Sequence, residues 1–367
     1  MKRTHLSRAA VIGAASLVAM AGLTACAASN ESDDSGDTTS SSLSGDLNGA
    51  GATSQEAAMA AWRSGFQQSN PDVTVNYDAV GSGGGREQFL AGGVEFAGSD
   101  DYLSDDELAT AEGVCGGEAY EYPVYVSPIA VIYNLPGVED LQLTPDTLAS
   151  IFAGDITKWN DSAIADQNPD ADLPSSDITP VHRSDESGTT ANFTDYLSQA
   201  APDQWSYGSV ETWPIKGGEA ADGTSGVVSA VKGGDGTIGY ADASQAGDLG
   251  KALVEVGGEF VGPTAEAASQ ILDVSEPAPG ATDTQITIEV NRTPDEAGVY
   301  PIVLISYQVV CSSYDSQDTV DLVKGFASYV VSDDGQQAAA GSAGSAPITE
   351  SIQSQAQSAI DSITVSK

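Results

Sequence analysis

Apolar and polar positions along this chain switch repeatedly between two periods. Gln55–Gln68 carries apolar residues at helical spacing, and Val73–Tyr77 (VTVNY) then alternates as a strand. The switch recurs downstream. A short helix is predicted over Glu87–Ala91 after a glycine run, and a strand over Val94–Ala97. Ser104–Ala111 opens with SDDE, the pattern of a capping box, and predicts a helix. Tyr122–Asn134 (YPVYVSPIAVIYN) reads as a long strand broken by Pro128. Helices are predicted over Thr144–Ala153, Thr189–Ala200 and Gly226–Lys232, and strands over Ile178–Val181 and Thr237–Tyr240. Residues 273–285 read as a surface loop. Val299–Cys311 (VYPIVLISYQVVC) is a second long apolar strand, and helix returns over Thr319–Val331 and around Ile348–Ile363. Alternating strands and helices predict an α/β fold. The two long strands bracket the middle of the chain. They predict a hinge of crossing strands between two lobes, one from 47–127 with 299–367 and one from 128–298.

The N-terminus departs from this pattern. Lys2, Arg3 and Arg8 flank a charge-free apolar run, 9–22, the length of a secretory core and short for a membrane span. Leu23-Thr24-Ala25-Cys26 resembles a bacterial lipobox. That implies a signal peptide over 1–25 and acylation of Cys26, with an ordinary secretory signal as the alternative. The following Ser/Thr/Asp-rich stretch has almost nothing to bury, so 26–46 is expected to be a lipidated cysteine and a disordered tether. Twenty such residues span roughly 25 Å as a random coil. The expected location is the outer face of the cytoplasmic membrane, held there by the lipid.

Composition narrows the function. Thirteen Lys+Arg against 53 Asp+Glu give a net charge of −40, and cleavage of the signal would remove three of the cations. Such a surface excludes nucleic-acid binding by bulk charge. After Cys26 is lipidated, Cys115 and Cys311 remain, and an extracytoplasmic setting predicts a disulfide between them, two free buried thiols being the alternative. Beyond the signal the only histidine is His182, with no Cys/His cluster, so no metal site and no cofactor are expected.

Four short segments carry the chemistry. They are Gly49-Ala50-Gly51-Ala52-Thr53, Gly81-Ser82-Gly83-Gly84-Gly85, Gly98-Ser99-Asp100-Asp101 and Arg183-Ser184-Asp185-Glu186-Ser187-Gly188-Thr189. Three precede predicted helices. Helix starts leave backbone N–H groups unpaired and carry partial positive charge, glycine lets an oxyanion approach the backbone, and hydroxyls rotate to donate. Arg183 adds a full charge and a planar fork. Together they predict a site for a tetrahedral oxyanion.

In this order the segments resemble the PstS family, the phosphate-binding components of phosphate ABC importers. Lesser matches are Leu148–Trp159, Trp213-Pro214-Ile215, Gly236–Tyr240 and Tyr300-Pro301-Ile302. The resemblance implies a two-lobed periplasmic-binding-protein fold of type II, monomeric, with no enzymatic activity. It implies that Thr53, Ser54, Ser82, Asp100, Arg183, Ser187, Gly188 and Thr189 contact inorganic phosphate and that Asp185 orients Arg183. The partners implied are membrane permease subunits. The family's aromatic after Gly-Ala-Thr is absent here, where Ser54-Gln55-Glu56 follows Thr53. Rival readings are the same fold binding sulfate or molybdate, a surface sensor or adhesin that does not transport, and a hydrolase using His182, Asp185 and Ser187. Adjacent His182 and Arg183 on one strand would point to opposite faces, against the hydrolase.

Overall fold

The computed structural model describes residues 43–366. The expected signal peptide, Cys26 and most of the tether lie outside them. One correction falls at the boundary. The first strand begins at Gly45 rather than after Asp46, and Leu43 already packs on the core.

The main sheet runs in the order 73–79, 45–51, 96–99, 303–311, 119–134, 237–242, 179–183, 219–221, with 250–251 also paired to 119–134. Its two ends are alike. At one, Gly45–Gly51 pairs in parallel with Val73–Ala79 and Phe96–Ser99. At the other, Thr179–Arg183 pairs in parallel with Thr237–Asp242 and Glu219–Ala221. Between them, Ala119–Asn134 and Val303–Cys311 run antiparallel as a wholly buried pair. Strands buried on both faces read as continuous apolar runs whatever their direction, which explains why the long strands were legible.

The 119–134 strand belongs to both ends. Residues 119–128 pair with 303–311, and 129–134 pair with 237–242. Pro128, expected to break the strand, instead marks where its partner changes, and the strand continues through it. A proline lacking an N–H fits a position where one ladder ends and another begins.

Helices cover the sheet and set the edges of the site. Glu56–Ser69 buries Ala58, Met59, Trp62 and Phe66, and the Trp62 indole donates to Gly335 O at 2.8 Å. Asp105–Cys115 starts with the expected capping box between Ser104 and Glu107. Its last residue, Cys115, is bonded to Cys311, closing a loop of 196 residues and establishing the expected disulfide. Gln317–Val331, Asp333–Ala343 and Glu350–Asp361 complete the fold; the middle one was not predicted.

Candidate anion-binding site

Each of the four segments sits at the carboxyl end of a strand. Thr53-Ser54-Gln55 makes a tight turn between the 45–51 strand and the 56–69 helix. Gly81, at φ +87°, turns the chain so that Ser82 opens the helix Ser82–Leu90. That start lies within the glycine run, five residues before the predicted Glu87. Asp100 follows the 96–99 strand directly. Arg183 ends the 179–183 strand, and Ser187 caps the helix Gly188–Ala200, its Oγ accepting from Thr190 N at 3.2 Å.

The side chains converge from both ends of the sheet. Thr189 Oγ1 donates to Asp100 Oδ2 at 3.1 Å, and Ser54 Oγ donates to the same oxygen at 2.5 Å. Asp100 N donates to Ser82 Oγ at 3.1 Å, which leaves the Ser82 hydrogen available. The Gly188 backbone lies so near that a Cβ there would stand 2.7 Å from Ser82 Oγ and 2.8 Å from Asp100 Cβ. At Gly81, besides the positive φ, a Cβ would meet Glu186 O at 2.6 Å. The two glycine turns therefore interlock, and only glycine fits. All eight residues expected around the anion are drawn into this one region. Thr53, Ser54, Ser82, Asp100, Arg183, Ser187 and Thr189 are each at most 6% exposed.

Asp185 is placed as expected. It accepts from Arg183 Nε at 2.6 Å and from Arg183 Nη2, and its Oδ1 also takes Gly223 N at 3.2 Å. The Arg183 backbone is fixed as well, donating to the Tyr240 hydroxyl at 3.2 Å. Two of the three guanidinium nitrogens are thus held by one carboxylate, and Nη1 has no hydrogen-bond partner among the described residues.

Several participants escaped the sequence reading. Thr224 pairs with Thr53, Oγ1 to Oγ1 at 2.9 Å, with its own N–H donating to Thr53 Oγ1 at 3.1 Å. The helix Gly223–Gly233 starts three residues before the predicted Gly226. The signal was a Gly-Thr at a helix start, the same pair found at 188–189. Ser306 donates to Asp100 Oδ1 at 2.8 Å; it is a lone hydroxyl within an apolar strand. Asn192 Nδ2 donates to Asp100 O at 2.6 Å and to Gly188 O at 2.8 Å, tying the two segments together. Ser54 was expected to offer only its amide, yet its hydroxyl is bound to Asp100, as is that of Thr189.

Burial raises the Asp100 carboxyl above its ordinary value, while the hydroxyls of Ser54, Ser306 and Thr189 and the charge of Arg183 pull the other way. A carboxylate has about four acceptor positions, and three are filled here. One is unfilled by the described residues. His182 is occupied elsewhere. Its ring stacks on Trp213 with centroids 5.0 Å apart, and its nitrogens pair with Arg183 O and Gly217 O. It makes no bond to Asp185 or Ser187, so the hydrolase arrangement is not formed. Among the described residues no cluster of metal-ligating side chains occurs.

A family model described as a PBP superfamily domain matches residues 36–334. Phosphate-binding protein PstS 3 of Mycobacterium tuberculosis is 37% identical over 321 residues, covering 86% of both chains. Phosphate-binding protein PstS 2 of the same species is 34% identical over 353 residues, covering 93% of this chain and 95% of that one. Among solved structures, a high-affinity periplasmic phosphate-binding protein (PfluDING) bound with phosphate superposes with a TM-score of 0.70 at 23% identity, covering 86% and 93%. That likeness establishes the two-lobed periplasmic-binding fold. With the sequence relatives, it places the chain in the PstS family of extracytoplasmic solute-binding proteins.

Proposed function

We propose that this protein captures inorganic phosphate outside the cytoplasm and delivers it to the permease subunits of an ABC importer. One observation carries the reading. A guanidinium, two helix starts rich in Gly, Ser and Thr, and a single accepting aspartate meet in one buried place in a chain of the PstS family. Phosphate would be held by Arg183, by the hydroxyls of Thr53, Ser82 and Ser187, and by the amides of Thr53, Ser54, Gly188 and Thr189. Asp185 would keep the guanidinium flat and aimed.

Asp100 explains the choice of anion. Phosphate keeps at least one proton across the neutral range, and that proton can be donated to the open position on Asp100. Sulfate has none and would meet the carboxylate unshielded. A site built around one hydrogen bond rejects the analogue lacking it by roughly 10⁴-fold. Calorimetric titration of Asp100→Asn against both anions tests this. The preference for phosphate over sulfate should collapse. A variant as selective as its parent would remove Asp100 as the source of the selectivity, and a parent that prefers sulfate would favour that anion as the natural ligand.

In this reading the lobes are 47–127 with 299–367, and 128–298, closing about the crossed strands. The lipid at Cys26 would tether the protein, as a monomer, to the outer face of the cytoplasmic membrane. The role is capture and release without chemistry on the ligand.

A further inference from the structure

Asp100 is loaded from behind. Of its three hydroxyl donors, only Ser306 is not itself an expected anion contact; it lies on the 303–311 strand, and its bond to Asp100 Oδ1 is 2.8 Å. Its orientation is imposed by a fourth residue. Gln55 Nε2 donates to Ser306 Oγ at 2.8 Å and to Tyr307 O at 3.0 Å. A backbone carbonyl can only accept, so the contact with Tyr307 fixes which end of the Gln55 amide is nitrogen. The Ser306 oxygen is then an acceptor from Gln55, and its only hydrogen is committed to Asp100. Ser54, next to Gln55 in sequence, supplies the 2.5 Å bond to the other carboxylate oxygen. Gln55 is 1% exposed, and Ser54 and Ser306 are fully buried, so water does not compete.

Two of these residues, Ser54 and Gln55, stand in the segment after Thr53 that departs from the family's motif. Where an aromatic would follow Thr53, the Ser54-Gln55 pair instead delivers hydrogens to Asp100, one directly and one through Ser306. We infer that Gln55 and Ser306, together with Ser54, form a positioning relay that keeps Asp100 an obligate acceptor and thereby sets how far into acid the site discriminates protonated from unprotonated oxyanions. This rests on the phosphate reading and deepens it.

The electrostatic surroundings show why such a relay matters. Arg183, from the 179–183 strand, favours the ionised carboxylate. Asp242, from the 237–242 strand, interacts unfavourably with it across the sheet, and burial raises that carboxyl to about 6. The phenols of Tyr77 and Tyr125 face Asp100 from the 73–79 and 119–134 strands, and burial raises both well above their ordinary value, so they stay neutral. Desolvation pushes Asp100 toward its protonated form. A protonated Asp100 would donate a hydrogen bond and so welcome sulfate. Hydrogens from Ser54 and Ser306 oppose that change.

The test measures phosphate and sulfate affinities by calorimetry from pH 5 to pH 8 for the parent, Ser306→Ala, Gln55→Met and Ser306→Thr, with thermal melts to verify folding. At pH 8 the phosphate preference of Ser306→Ala and Gln55→Met should stay within about threefold of the parent. At pH 5 it should fall about tenfold below the parent, the scale of one hydrogen bond to a charged group. Ser306→Thr, which keeps the hydroxyl, should restore the parent profile. If either variant folds and tracks the parent's preference at every pH, or loses it equally at every pH, the relay is wrong. A parent with no preference for phosphate overturns the phosphate reading as well. A parent that prefers phosphate while its variants do not shift overturns the relay alone.

Discussion

Arg183 and Arg292 are both 3% exposed, and their surroundings are opposite. Every guanidinium nitrogen of Arg292 is spent. Nε donates to Asp195 at 2.8 Å, Nη1 to Pro301 O and Val303 O at 3.1 and 2.8 Å, and Nη2 to Asn192 Oδ1 at 2.5 Å. Arg183 gives two nitrogens to Asp185 and has no such set for the third. A cavity of about 330 Å³ beside Arg292 is lined by Asp101, Asp195, Glu289 and Tyr307 among others, so it offers an anion three carboxylates and a cation already engaged at every nitrogen. A buried guanidinium with four of its five N–H donors filled builds structure; one with two filled, beside helix starts, is the one we propose holds the ligand. The two regions touch through Asn192, which accepts from Arg292 and donates to Asp100 O and Gly188 O. Structure and site are therefore adjacent but differently satisfied.

The comparison breaks if the two arginines prove interchangeable. Arg183→Met should lower phosphate affinity by about 10³-fold, since two hydrogen bonds to a charged ligand contribute roughly 1.5–3 kcal/mol each. Arg292→Met should do the reverse. It leaves Asn192 Oδ1 and the Pro301 and Val303 carbonyls without their buried donor, and partly exposed Asp195 without its cation, and should cost about 3–5 kcal/mol in denaturant unfolding, while the folded protein's affinity changes by less than tenfold or so. Arg183→Met should destabilise less than Arg292→Met.

Gly188→Ala sharpens the picture of the interlocked turns. Overpacking of about 1–3 kcal/mol should weaken phosphate binding by roughly 5- to 150-fold and leave the fold intact. Normal affinity in this variant would mean that the 2.7 Å approach to Ser82 is not part of the bound state.

A third buried arginine, Arg86, joins Glu107 at 2.8 Å and Glu211 at 2.6 Å, and its acidic neighbourhood gives the molecule a pH signature. Burial pushes Glu121 up to about 8, and burial with the Glu211 charge pushes Asp101 up to about 7. For carboxyls raised in this way the native state holds protons that the unfolded chain has released above about pH 4. Stability should therefore fall as pH rises from about 5 to about 8, by roughly 6 kcal/mol from these two groups together. Thermal melts of the parent against Glu121→Gln check this, the variant showing the flatter slope. The smallest effect concerns capture. The net charge of −40 repels the ligand, so raising salt should increase the phosphate on-rate by about twofold in stopped flow, whereas a steep fall would contradict the account.

Much of this was legible in the sequence because it was local. The capping box at Ser104, the long buried strands and the ordered set of Gly/Ser/Thr segments each sit within a few residues. The missed parts depend on distant packing. Ser82-Gly83-Gly84-Gly85 and Gly223-Thr224-Ser225-Gly226 are poor helix formers, so propensity placed both helix starts too late. Tertiary approach overrides it. Gly85 lies against the Gly51 backbone so closely that a Cβ would stand 2.3 Å from Gly51 Cα. Thr224 meets Thr53 across 171 residues, and Gln55 meets Ser306 across 251. No periodicity encodes such pairs.

Calorimetric titration of the purified protein with phosphate and then with sulfate at pH 7 tests the central claim most directly. The account predicts saturable one-to-one binding of phosphate and at least about 10³-fold weaker binding of sulfate. Equal affinity for the two anions, or no binding of phosphate, would contradict it.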